Sequence, residues 1–138
     1  MRLTRRTALT LGAAGVAVAV LPLPARAALS DHVMQFTGGV TPEEGDISIT
    51  APEIAENGNA VPVALEADGA QRIALFAPLN PDIYVAEWEF GPASARPMVA
   101  TRIRLAETQD ILAVAQLADG RFIQAEALVR VTIGGCGG

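Results

Sequence analysis

From Asp46 onward the chain is a succession of short runs rich in Val, Ile and Thr, punctuated by Gly, Pro, Asn and Asp. That rhythm restricts it to strands and turns. The runs are DISITA, AVPVALEA, QRIALFA, IYVAEWEF, MVATRIRLA, ILAVAQLA and RFIQAEALVRVTI. In the fourth, Tyr84, Ala86, Trp88 and Phe90 alternate with Val85, Glu87 and Glu89, the period of a half-buried strand. The last repeats the pattern, with Leu128, Arg130 and Thr132 against Val129, Val131 and Ile133. Asn57-Gly58 in ENGN and Asp119-Gly120 in ADGR supply the positive φ of tight hairpins, and PLNPD bends at its prolines. Seven such strands predict an all-β fold, an immunoglobulin-like antiparallel β-sandwich with Trp88 as core anchor on a central strand.

Ahead of the strands, LSDHVMQFTGG predicts a short helix capped by Ser30, with Leu29, Val33 and Phe36 on one side and Gly38-Gly39 as its stop. His32, the only histidine, has no second ligand or base beside it and reads as a surface residue. The first 27 residues carry an export address. Arg2, Arg5 and Arg6 precede an uncharged run from Ala8 to Leu23, and Ala25-Arg26-Ala27 form a small-x-small exit. The Arg5-Arg6 pair predicts a twin-arginine signal, cleaved after Ala27 or Ala28, and delivery to the periplasm. The run ends in two prolines and is too short for a spanning helix, so no membrane contact is expected after cleavage. The predicted organisation is signal 1–27, sandwich 28–133 and a terminal arm 134–138.

Charge and composition narrow the function. All ten basic residues are arginine and four leave with the signal, so six face 15 carboxylates, a net charge of −9. Nucleic acid is thereby an unsuitable partner. The sequence has no lysine, no phosphate-cradling loop, no histidine cluster for a metal and no Ser-His-Asp set. No catalytic residue, metal site or cofactor is predicted, and the carboxylates read as solvated faces.

The ending VTIGGCGG is different. Cys136 is the only cysteine, so in an oxidising compartment it forms an intermolecular bond or stays a reactive thiol. Gly134, Gly135, Gly137 and Gly138 offer no side chain to bury it. The last five residues therefore predict a flexible arm of at most roughly 17 Å. No basic residue beside Cys136 lowers its pKa, so activation must come from a partner. Such an arm suits a carrier that is charged and discharged inside enzymes. The other reading is an exported β-sandwich binding module whose cysteine only forms an intermolecular disulfide. The Gly-Gly ending also resembles ubiquitin-like sulfur carriers, but those need ATP, which a periplasmic address denies.

PEIAENGNAVPV, PASARPMVATRIRLAETQDILAVAQLADGRF and VTIGGCGG together resemble SoxY, the sulfur-carrier family of the periplasmic thiosulfate-oxidising Sox system. The stretch EADGAQRIALFAPLNPD departs from the resemblance, being short and lysine-free. The resemblance implies a non-catalytic subunit that pairs with SoxZ as a heterodimer and carries intermediates on Cys136. It implies transient partners too. These are the c-type haem enzyme SoxAX, which joins thiosulfate to the cysteine, the manganese hydrolase SoxB, which releases sulfate, and, where present, the molybdenum and haem sulfane dehydrogenase SoxCD.

Overall fold

A computed structural model describes residues 23–132. A helix, α1 (Leu23–Thr37), is followed by nine strands. These are β1 (Glu43–Glu44), β2 (Ser48–Thr50), β3 (Ile54–Ala55), β4 (Val61–Glu66), β5 (Ala70–Phe76), β6 (Tyr84–Glu89), β7 (Met98–Ile103), β8 (Gln109–Leu117) and β9 (Phe122–Val131). The larger sheet has the order β1-β9-β8-β5-β6, with β3 also on β9, and the smaller one β2-β4-β7. All seven predicted strands are present. The additions are the two-residue strands β1 and β3, which pair parallel to β9.

Alternation explains the layering. Along β4, Val61, Val63 and Leu65 are buried between the sheets while Pro62 is exposed. From the larger sheet, Ile73, Leu75, Ile111, Ala113, Ala115 and Val129 meet them. The opposite face of that sheet presents Ala74, Phe76, Leu112, Val114 and Phe122, which α1 covers with Val33 and Phe36. Phe36 meets Phe76 and Phe122 edge-to-face, with ring centroids 6.5 and 5.9 Å apart. Arg72 lies over the Phe36 ring, its guanidinium carbon 4.6 Å from the centroid, and bonds Glu87 at 2.8 Å. The molecule is thus three layers, helix on sheet on sheet.

Four expectations need correction. Ser30 does not cap α1. The helix already runs from Leu23 through Ser30, because Ala25 to Ala28 favour helix. Gly38 and Gly39 do end it, at φ 73° and 98°. Trp88 lies on the edge strand β6 and is only partly buried, packing against the core from its margin. Tyr84 does not share a face with Ala86 and Trp88. Phe76 pairs with Tyr84 and Leu75 with Ala86, so Val85 is a bulge that flips Tyr84 to the helix-covered side. There its ring meets Phe76 at 6.0 Å and its hydroxyl donates to Glu87 at 3.2 Å. Burial and that carboxylate raise the Tyr84 pKa.

The fourth correction concerns Gly58. It has no positive φ, and β3 and β4 belong to different sheets, so ENGN is not a hairpin. Its glycine serves close approach instead. A Cβ there would stand 2.6 Å from the Leu105 carbonyl oxygen and 2.9 Å from Val131 Cγ1. Gly120, at φ 89°, does make the predicted β8–β9 hairpin.

Candidate functional site at the root of the C-terminal tail

Cys136 and the four glycines Gly134, Gly135, Gly137 and Gly138 lie outside the described residues, as does Ile133. What is described is the end of β9 that precedes them in sequence. β9 pairs antiparallel with β8 from Gln116↔Phe122 to Gln109↔Val129, and β8 begins there. Two residues later, Val131 is still held. Its N–H donates to Thr108 Oγ1 at 2.9 Å, and Thr108 Oγ1 donates to its carbonyl at 3.4 Å.

The other edge of β9 is held by β3. The Arg130 N–H donates to the Glu53 carbonyl at 3.0 Å and the Thr132 N–H to that of Ala55 at 3.1 Å. Successive N–H groups of a strand point to opposite edges, so the two sides share the end of β9 between them. Gly58 completes the root by letting Leu105 and Val131 both lie close against it, and the Leu105 N–H donates to the Gly58 carbonyl at 2.7 Å.

Two amides set the β7–β8 loop that carries Thr108. Asn80 donates through Nδ2 to the Arg104 carbonyl at 2.7 Å, and its Oδ1 accepts from the Ala106 N–H at 2.9 Å. Gln109 is buried. Its Oε1 accepts from the Leu79 N–H at 2.9 Å, and its Nε2 donates to Asn80 Oδ1 at 3.0 Å and the Glu107 carbonyl at 3.1 Å. A buried amide is tolerated because its polar atoms are satisfied. These roles left little trace in the sequence. PLNPD announced only a bend, and a Thr before a Gln says nothing until β9 is known to pass it.

Two shallow grooves flank the root. One, of about 340 Å³, is lined by Asn80, Pro81, Asp82, Val85, Arg104 and Ala106. The other, of about 300 Å³, is lined by Glu53, Ile54, Leu128 and Arg130. The side chains of Ile54 and Leu128 are exposed at its rim. Among the described residues no group of His, Cys, Asp and Glu is arranged to hold a metal ion. No helix among them is long and apolar enough to cross a membrane. The arrangement anchors the end of β9 beside open surface.

Comparison with known proteins fits this geometry. Residues 33–136 match the family described as sulfur oxidation protein SoxY. The structure of the sulfur carrier protein SoxY from Chlorobium limicola f thiosulfatophilum is 38% identical, with a TM-score of 0.65, covering 76% of this chain and 96% of that one. A superoxide reductase (neelaredoxin) from Ignicoccus hospitalis shares the fold alone, at 16% identity and a TM-score of 0.56, covering 64% of this chain and 81% of that one. No curated protein sequence matches. A family match that spans most of the chain and a sulfur carrier of the same fold at this identity lead to one conclusion: the chain belongs to the SoxY family of sulfur oxidation proteins.

Proposed function

We propose that the chain is a non-catalytic carrier that holds the sulfur intermediates of thiosulfate oxidation covalently on Cys136 and presents them to partner enzymes. The observation that carries this reading is that the family match extends through residue 136, so it includes Cys136 itself. The likeness to a sulfur carrier protein supports it further. Gly134, Gly135, Gly137 and Gly138 form the arm, whose lack of side chains lets the sulfur enter a narrow cleft.

In this reading the chain is exported to the periplasm by its twin-arginine signal and pairs with SoxZ. Joining the Cys136 sulfur to the outer sulfur of thiosulfate removes two electrons, which the haems of SoxAX accept, and gives a cysteine S-thiosulfonate. Water then cleaves the sulfonate in SoxB, releasing sulfate and leaving one sulfur atom on Cys136. SoxCD, where present, oxidises that atom. The carrier holds no cofactor of its own and binds neither nucleic acid nor membrane.

Substituting Cys136→Ala tests the proposal. The variant is expected to fold and to associate with SoxZ, while thiosulfate-dependent turnover in the reconstituted system is abolished. Turnover retained by the variant refutes the carrier role.

A further inference from the structure

We infer that Thr108 is a positioning residue whose hydroxyl fixes the β8 side of the end of β9 at Val131, ahead of the segment that carries Cys136. The β8–β9 register places Gln109 opposite Val129, so its continuation would set Glu107 opposite Val131. That partner is withdrawn, because β8 starts at Gln109 and the Glu107 carbonyl accepts from Gln109 Nε2. The N–H and carbonyl of Val131 would face an edge with no backbone partner. Thr108 Oγ1 takes both, as acceptor at 2.9 Å and as donor at 3.4 Å.

The consequence is geometric. Ala55 holds the β3 side of the strand end through Thr132, and Thr108 holds the β8 side through Val131. Without the hydroxyl, the β8–β9 register ends at Val129, two positions earlier. Two residues of strand amount to roughly 7 Å of root. Cys136 stands four residues beyond Thr132, a separation of at most roughly 14 Å, so in the carrier reading a displacement of about 7 Å at the end of β9 is large beside it. The buried Gln109 and the partly exposed Asn80 hold the loop through contacts of their own, independent of the bond from Thr108 to β9.

The test is amide hydrogen exchange with heteronuclear NOEs on the mature full chain, comparing wild type with Thr108→Val and Thr108→Ser. Valine keeps the shape and removes the hydroxyl, and serine keeps the hydroxyl. In Thr108→Val the Val131 amide is expected to exchange roughly three- to tenfold faster, with lower NOEs at Val131 and Thr132. Ala113 and Val114 should be unchanged, and Thr108→Ser should behave as wild type. Unchanged exchange at Val131 overturns the inference. So does a uniform rise across β8 and β9, or an equal loss in the serine variant.

The effect on sulfur presentation rests on the carrier reading, and it is read separately. Thr108→Val is expected to slow enzymatic loading of Cys136 several-fold while its reaction with iodoacetamide is unchanged. Unaltered enzymatic loading beside faster Val131 exchange overturns the positioning role and leaves the carrier reading standing.

Discussion

The two ends of the sandwich are closed by different means. At the tail-root end, side chains join segments far apart in sequence: Thr108 to Val131, Asn80 to Arg104 and Ala106, Gln109 to Leu79. At the opposite end the turns are made locally, and distant segments are joined by the backbone bond from the Ala118 N–H to the Gly69 carbonyl and by an exposed Arg96–Glu66 pair. Gly120 turns the β8–β9 hairpin through backbone bonds, Arg121 pairs with Asp119 two residues away at 2.8 Å, and Gly69 turns at φ 75°. A turn needs only to reverse the chain. A strand end held on both edges needs neighbours that do not shift, and side-chain contacts between distant segments supply them.

The contrast is broken most severely by Gly58→Ala. Its Cβ would meet backbone oxygen at Leu105, which cannot rotate away, so a loss of about 3 kcal/mol is expected in chemical denaturation. Next, Gln109→Leu leaves the Leu79 N–H without its acceptor and takes from Asn80 Oδ1 one of its two donors. A loss of about 2 kcal/mol is expected by the same measurement. Gly120→Ala, at the local end, meets open space and suffers only from its positive φ, so about 1 kcal/mol is expected.

Midway between the ends, Glu126 sharpens the comparison by pH. Burial first, then Asp110 and Glu44, raise its pKa above the ordinary 4.5. The folded state therefore binds more protons than the unfolded state just above that value, and stability falls as pH rises through the window. Denaturation profiles of Glu126→Gln should lack this decline, a small effect for so exposed a group. Smallest of all, Arg121→Ala removes an ion pair in full contact with solvent, and the denaturation midpoint should not move.

The sequence analysis succeeded where local pattern decides structure. The seven strands, the Gly120 hairpin, the Gly38-Gly39 stop and the alternation of Leu128 and Arg130 with Val129 and Val131 follow from periodicity and turn chemistry. It failed where a distant partner decides. β1 and β3 are too short to exist except as additions to β9. The bulge at Val85 reverses Tyr84 by one inserted residue that no local pattern announces. Gly58 reads as a turn glycine because contact with Leu105 and Val131 appears only after folding.

The candidate site divides the same way. Cys136 and its glycines stand out in one dimension, being a lone cysteine in an apolar-free tail. The clamp of Thr108, Gln109, Asn80 and Ala55 consists of common residues scattered from position 55 to 109. Their meaning comes from topology, which brings Ala55 and Thr108 to the end of β9 and sets Asn80 and Gln109 against the loop that carries Thr108.

The most direct test of the carrier role is the intact mass of the mature protein, purified without reductant from thiosulfate-grown cells. The account predicts adducts of sulfur or thiosulfonate that reductant removes and that Cys136→Ala lacks. An unmodified thiol, or only a stable disulfide between chains with thiosulfate and the loading enzyme supplied, would contradict it and make Cys136 a crosslink.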